Sequence, residues 1–514
     1  MRSAWGSFEP RCRTPTRPSS RCWPRWSATT SRSSGVGLGS AHRVVVVGGG
    51  ITGLTTAYRL AGHSNGRPLE VTVLEASSRL GGKIRTAELA GMQVEEGADS
   101  FVVRKPWAVE LARELGLENE LVVPERLPAF ILSGGRLVPF PSRAAFGIPA
   151  GAMEVRRWPG LSRRGRRRAL VDLVRPARRV TEDEPLAALL QRRLGPEAAG
   201  HVGSLLAGIH AGDAERLSVS ATFPELKGWE RDHGSLIRAA RRSARNADHA
   251  KGALFAAPWT GLGRLVEAVA NALGPERIHL NSPVSALRTG TDTAYEVETG
   301  DAVHPADSVV LTTPAFESAR LLRERNPEAA EALDGIAYAS TAVVLLVYPA
   351  GSAARMPEGT GYIVADRTAT VTACTWLSSK WPRPDQAGRA VLRCYVGRAQ
   401  SEEALALTDD ALVAAVRGAV EQVTQFDAPP EASRVVRWPR AMPQYEVGHL
   451  ERMTAIDTAL AATPGVFVAG SAYRGVGIAD CVRQATEVAQ AVHRFVIRKP
   501  AEGADEQEAI SWTN

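Results

Sequence analysis

Val44-Val45-Val46-Val47-Gly48-Gly49-Gly50-Ile51-Thr52-Gly53 decides the fold of this 514-residue chain. Four consecutive β-branched residues are the pattern of a parallel strand buried on both faces. Glycines at 48, 50 and 53 then spell G-x-G-x-x-G. A helix follows, with Leu54, Ala57, Tyr58 and Ala61 on one face and Gly62 placed to end it. A second strand, Val71-Thr72-Val73-Leu74, closes on Glu75, 22 residues after Gly53. Alone, the glycine pattern is weak. Between a strand and a helix, with an acid ending the next strand, it predicts a dinucleotide-binding unit. The first glycine permits the tight turn, the second lets backbone approach a pyrophosphate, and the third lets helix pack on strand. The helix N-terminus offers free N–H groups and a positive dipole end to the phosphates. Glu75 can accept hydrogen bonds from ribose hydroxyls.

The charge balance points away from nucleic acid. The chain carries a formal +7, and residues 1–43 hold eight arginines against the single acid Glu9, so the other 54 bases and 54 acids cancel. A nucleic-acid-binding protein places its basic surface on the folded part. Residues 1–42 are rich in Arg, Ser and Pro without hydrophobic periodicity, and read as a disordered extension. They lack the apolar core of a secretory signal. No apolar run reaches the roughly 18 residues of a spanning helix. The five cysteines, Cys12, Cys22, Cys374, Cys394 and Cys481, show no metal-ligand spacing. A reduced, cytoplasmic chain without a metal site is expected.

Beyond Glu75 the site continues through Ala76-Ser77-Ser78-Arg79-Leu80-Gly81-Gly82-Lys83. An added arginine and glycine pair suit FAD, whose flavin is carried onward into the protein. Further segments follow: Gly97-Ala98-Asp99-Ser100-Phe101 with Arg104-Lys105-Pro106, and Gly208-Ile209-His210-Ala211-Gly212-Asp213 with Phe223-Pro224-Glu225-Leu226. Then come Met442-Pro443-Gln444-Tyr445 with Gly448-His449, and Gly475-Val476-Gly477-Ile478-Ala479-Asp480. In this order, they resemble the oxygen-dependent protoporphyrinogen/coproporphyrinogen oxidases of the flavin amine oxidase superfamily, bacterial coproporphyrinogen III oxidases above all. Ala98, His210 and Ala479 stand where that family commonly has proline, tyrosine and proline.

The resemblance implies FAD contacts at Gly48, Gly49, Gly50, Ile51, Thr52, Gly53, Glu75, Ala76 and Lys83. It extends them to Gly97, Ala98, Asp99, Ser100, Val284, Val476, Gly477 and Ile478, and brings Tyr445 and His449 near the flavin. After Asp480 apolar residues recur at helical spacing, so Asp480 can cap a C-terminal helix whose dipole favours negative charge on reduced flavin.

The expected fold is α/β. A Rossmann-like FAD-binding domain is assembled from 43–105, 252–318 and 455–497. A mainly helical insertion fills 106–251, an α+β substrate domain with a sheet fills 319–454, and 498–514 forms a mobile tail. Ten arginines and one acid, Asp172, fall between Val155 and Arg179. Most such runs are solvated helix faces. Attraction to an anionic membrane, substrate or partner is the alternative, with at most loose membrane association.

By resemblance the reaction is oxidation of coproporphyrinogen III to coproporphyrin III, with O₂ as acceptor and hydrogen peroxide as product. Six electrons leave in three flavin cycles, and no protein nucleophile is needed. Propionates call for cations, so Arg104 and Lys105 are candidate substrate contacts, with His210 as a polar pocket residue. Protoporphyrinogen IX, a different flavin amine oxidase-like reaction, and a non-catalytic FAD-containing porphyrin carrier stay open as alternatives. So does docking of a downstream haem-pathway enzyme.

Overall fold

A computed structural model describes residues 41–498, apart from short segments at 63–67, 126, 179–181, 251–253, 301, 425 and 427. The extension expected at 1–42 lies outside the described residues except for its last two. The tail lies outside them beyond Arg498.

The valine run forms the strand His42–Val47 at the centre of a five-stranded parallel sheet. The strand order is Ile278–His279, Leu69–Leu74, His42–Val47, Ser308–Leu311, Val466–Val468. Both faces are covered, and the valines divide by parity. Val44 and Val46 pack with Leu54, Val71, Val73 and Val482 on one side. Val45 and Val47 pack with Leu74, Val297 and Leu311 on the other. Each fully buried valine contributes about 1.5–3 kcal/mol. Helices Ile51–Ala61 and Ile478–Arg498 lie against each other on the first of these faces.

A second, seven-stranded sheet has the order Ala432–Pro443, Tyr338–Ala350, Arg389–Val396, Val371–Trp376, Gly361–Val364, Ala129–Ser133, Arg136–Pro139. One of its faces is covered by the helix Asp409–Thr424. The other packs Val343, Leu345, Val347 and Val391 against Leu89, Met92 and Val94 of the hairpin Thr86–Leu89 and Met92–Glu95. The helical expectation for 106–251 fails between 121 and 149. There Ala129–Ser133 and Arg136–Pro139 form a hairpin and join this sheet. Its turn is Gly134-Gly135, with φ of 57° and 73°, the left-handed conformation that two-residue hairpin loops require. The glycine pair between two apolar runs was the available signal.

Between Ala152 and Ala250 the described residues of the insertion are mainly helical, with Trp158, Leu189, Leu190, Val202 and Leu206 in their core. Asp172, the one acid in the arginine run, is fully buried. It accepts Arg193 Nε at 2.5 Å, Ser235 Oγ at 2.6 Å and Ile237 N at 2.9 Å. Arg193, also fully buried, donates to the Gly234 carbonyl at 2.6 Å. This pair therefore ties the arginine run to the helix Leu236–Ala250 from inside. No helix among the described residues is long and apolar enough to cross a membrane.

Removing one partner strands a buried charge. Asp172→Ala should cost about 3–5 kcal/mol, read as a lowered denaturant midpoint. Arg163→Ala, on the same run but exposed, should change stability by less than about 0.5 kcal/mol.

Candidate functional site

The glycine loop leaves the central strand with Gly48 at φ 111°, and its N–H bonds the Leu74 carbonyl at 2.8 Å. A Cβ on Gly53 would sit 1.9 Å from the Gly48 carbonyl oxygen, so only glycine lets this helix approach the turn. A Cβ on Gly50 would meet nothing within 4 Å, so open space faces the loop there. The helix Ile51–Ala61 begins without a capping side chain, leaving the N–H groups of Ile51, Thr52 and Gly53 directed at that space.

Glu75 stands beside the loop. Its carboxylate accepts Gly49 N at 2.6 Å, Ser77 N at 2.9 Å and Ser77 Oγ at 2.7 Å. Ala76 is exposed. The Glu75 carbonyl accepts Ser282 N at 2.9 Å, which brings the segment leading to Val284 alongside. Val284 opens the strand Val284–Thr289, and its carbonyl accepts Arg320 Nη2 at 2.7 Å. Gly81 N donates to the Gly49 carbonyl at 2.9 Å, so the second glycine pair docks on the first. Arg79 holds that turn by donating to the Gly82 carbonyl at 2.7 Å.

Lys83 and residues 97–100 meet the C-terminal helix at the other end. Lys83 Nζ lies 3.4 Å from Ser471 Oγ, and burial pushes its pKa down to about 8. A Cβ on Gly97 would lie 2.0 Å from the Lys83 carbonyl oxygen, so Gly97 allows these two segments to touch. Ala98 N donates to the same carbonyl at 3.4 Å. Asp99 is held by Lys380 Nζ at 2.9 Å and Ser100 Oγ at 2.7 Å, with Arg393 at 3.9 Å. Burial would raise the Asp99 pKa, yet Lys380 and Arg393 outweigh it and hold the carboxylate well below its ordinary range.

Val476 and Gly477 lead into the helix Ile478–Arg498, and Cys481 N donates to the Gly477 carbonyl at 2.9 Å. The Tyr445 hydroxyl accepts Gly475 N and donates to the Ser471 carbonyl, both at 2.8 Å. Its ring stacks on His449 at 4.0 Å, and His449 Nε2 meets the Tyr473 carbonyl at 2.7 Å. Tyr445 and His449 thus brace the turn before the helix. The expected cap at Asp480 is corrected. Asp480 is the third helical residue, and its carboxylate accepts Lys105 Nζ at 2.7 and 2.8 Å.

The three expected substrate contacts diverge. Lys105 is committed to Asp480. Arg104 turns to the helical insertion, 4.6 Å above the Phe146 ring and 3.6 Å from Glu225, with its side chain 47% exposed. His210 is buried, edge-on to Phe223 at 5.8 Å and tilted towards Tyr445 at 5.7 Å. Burial, and then Lys105 and His449, push its pKa down to about 4, so it is neutral at pH 7. A propionate finds no charge there. Lys380 and Arg393 were missed because the chain separates them from Asp99 by 281 and 294 positions, with no local motif.

The family described as flavin containing amine oxidoreductase matches residues 51–493. The chain is 36% identical over 457 residues to a coproporphyrinogen III oxidase of Bacillus subtilis, covering 87% of this chain and 96% of that one. It is 30% identical to a coproporphyrinogen III oxidase of Staphylococcus aureus, covering 87% and 98%. Its fold superposes with a TM-score of 0.79 on an Exiguobacterium sp. 255-15 protein assigned to protoporphyrinogen oxidase, 33% identical, over 88% of this chain and 99% of that one.

The chain belongs to the flavin-containing amine oxidoreductase family. A flavin cofactor follows from that membership, and the residues present fit one. A glycine cradle with open space at Gly50, an uncapped helix start, and a partly buried lysine that meets Ser471 and no carboxylate among the described residues supply room and donors for it. The close approach of Gly97 to Lys83 should be intolerant of bulk. Gly97→Ala should cost about 1–3 kcal/mol by overpacking and reduce the flavin recovered with the purified protein, measured by absorbance.

Proposed function

We propose that this chain oxidises coproporphyrinogen III to coproporphyrin III, with FAD as its flavin and O₂ as electron acceptor, releasing hydrogen peroxide. The near-full-length similarity to the Bacillus and Staphylococcus coproporphyrinogen III oxidases is the observation that carries this reading.

Glu75 would hold the ribose, with Val284 and exposed Ala76 at the adenine end. Gly48, Gly49, Gly50, Ile51, Thr52 and Gly53 would hold the pyrophosphate. Gly97, Ala98, Asp99, Ser100, Val476, Gly477 and Ile478 would hold the ring system. The bound flavin supplies two-electron oxidation, so three rounds remove the six electrons. The chain's own residues bind and orient. Lys83 and the start of the helix Ile478–Arg498 favour negative charge in the cleft. Neutral His210 can accept or donate one hydrogen bond without charge, and its Nδ1 has no partner among the described residues. Half-exposed Arg104 is free to exchange Glu225 for a substrate propionate at small cost, since exposed pairs are worth about 0–1 kcal/mol.

Three outcomes are expected. Under air the purified protein should convert coproporphyrinogen III faster than protoporphyrinogen IX, with porphyrin fluorescence and peroxide appearing together; bound flavin without turnover of either would sink the proposal. Arg104→Ala should raise the porphyrinogen KM about three- to tenfold with kcat little changed. In the apoprotein, protonated Lys83 favours the anionic cofactor. FAD affinity should therefore fall as pH rises above about 8, and Lys83→Met should abolish that dependence in a fluorescence titration.

A further inference from the structure

The side of the seven-stranded sheet covered by the helix Asp409–Thr424 carries two thiols that the proposed reaction does not use. Cys374 on Val371–Trp376 and Cys394 on Arg389–Val396 are register partners across an antiparallel pair. Their sulfurs lie 3.5 Å apart, and both residues are buried, 2% and 0% exposed. The Tyr362 hydroxyl and the Trp376 indole N–H lie beside the Cys374 sulfur and have no other hydrogen-bond partner among the described residues. Phe426, Tyr348 and Val416 complete a rigid apolar surround. Two sulfurs held this close on facing positions need only a small χ rotation to reach bonding distance.

We propose that Cys374 and Cys394 are a peroxide-responsive dithiol that closes into a cross-strand disulfide. The oxidant rests on the function proposed above, which releases hydrogen peroxide from the same molecule. In the first step the Cys374 thiolate attacks peroxide. An S–O bond forms, the O–O bond breaks, and the departing hydroxide takes a proton to become water. In the second, Cys394 attacks the sulfenic sulfur. The S–S bond forms, the S–O bond breaks, and a second water leaves. The two thiols lose two electrons together and one peroxide is reduced to two waters. The Tyr362 and Trp376 donors serve the anionic sulfur that the first step requires.

Burial sets the pace. It holds the Cys374 thiol well above its ordinary pKa, so the thiolate is scarce at neutral pH and oxidation accelerates as pH rises. Peroxide is small and uncharged, so it can enter an apolar core that excludes glutathione. The pair therefore answers peroxide without exchanging with larger thiols. The closed bond would join two central strands and stiffen the sheet that backs the candidate site.

The test uses the full-length reduced holoprotein, exposed to hydrogen peroxide without substrate, then denatured, alkylated and mapped by mass spectrometry. The expected result is a linked Cys374–Cys394 peptide lacking two hydrogens. Alkylatable thiols should fall from five to three and return to five when the denatured protein is treated with dithiothreitol, and the thermal midpoint of the folded protein should shift upward. Cys394→Ser should instead leave Cys374 as a sulfenic acid that dimedone captures. Full alkylation of both residues, after peroxide sufficient to oxidise free glutathione, would overturn the proposal. So would a dimedone adduct confined to other cysteines in Cys394→Ser. In a second arm, coproporphyrinogen III is turned over in air with and without catalase. A link formed only without catalase supports both readings. A link formed with added peroxide but not during turnover upholds the dithiol and counts against peroxide release by the enzyme.

Discussion

Two buried carboxylates flanking Gly97-Ala98 hold this segment to the seven-stranded sheet. Glu96 is fully buried and meets Arg85 at 2.6 Å and Arg434 at 2.8 Å, while its carbonyl accepts Trp438 Nε1 at 2.8 Å. Asp99 meets Lys380 and Arg393. Arg434, Trp438, Arg393 and Lys380 all belong to the seven-stranded sheet or to the helix after its strand Val371–Trp376. Gly97 and Ala98, between the carboxylates, rest on the Lys83 carbonyl, two residues beyond the Gly81 that docks on Gly49. The segment that faces the flavin in our proposal is thus the same segment that the sheet grips. Carboxylates this deeply buried are costly to leave unpaired, so the pairs act as a register rather than as glue.

The consequence reaches the substrate side. Ion pairs at 96 and 99 fix the backbone of 97–100, and Lys105 a few residues on is fixed to Asp480 at the start of the C-terminal helix. The chain between them cannot slide without breaking one of these contacts. Arg104 is the cation in this stretch left half-exposed. A rigid wall with one adaptable cation suits a flat, carboxylate-bearing macrocycle, because orientation then comes from the wall and capture from the arginine.

What could be read from sequence was what is local. The glycine loop, the valine strand and Glu75 announce themselves within some thirty residues, because the backbone of a phosphate cradle dictates residue types at fixed spacing. The strands at Ser308–Leu311, Tyr338–Ala350 and Arg389–Val396 were legible for the same reason, as buried β-branched runs. The hairpin at 129–139 was legible only through Gly134-Gly135, since its apolar runs are short enough to pass for helix. The charge state of His210 was not legible, because it depends on burial by Phe223 and Tyr445. Asp480 followed a capping pattern and was diverted by Lys105, an attraction across 375 positions. The lone acid of the arginine run, Asp172, looked like a surface residue and is the buried partner of Arg193. The misses at Asp480 and Asp172 are tertiary ion pairs, and such contacts leave no periodicity.

The most direct test of the account is the FAD dissociation constant of Asp99→Asn, measured by fluorescence titration of apoprotein that retains its far-ultraviolet circular dichroism. Losing the charge that faces Lys380 and Arg393 should loosen residues 97–100 and weaken FAD binding about tenfold or more, a change of about 1.4 kcal/mol. An unchanged dissociation constant, with only thermal stability lowered, would contradict the account. It would show that the clasp between the sheets stabilises the fold without shaping the flavin site.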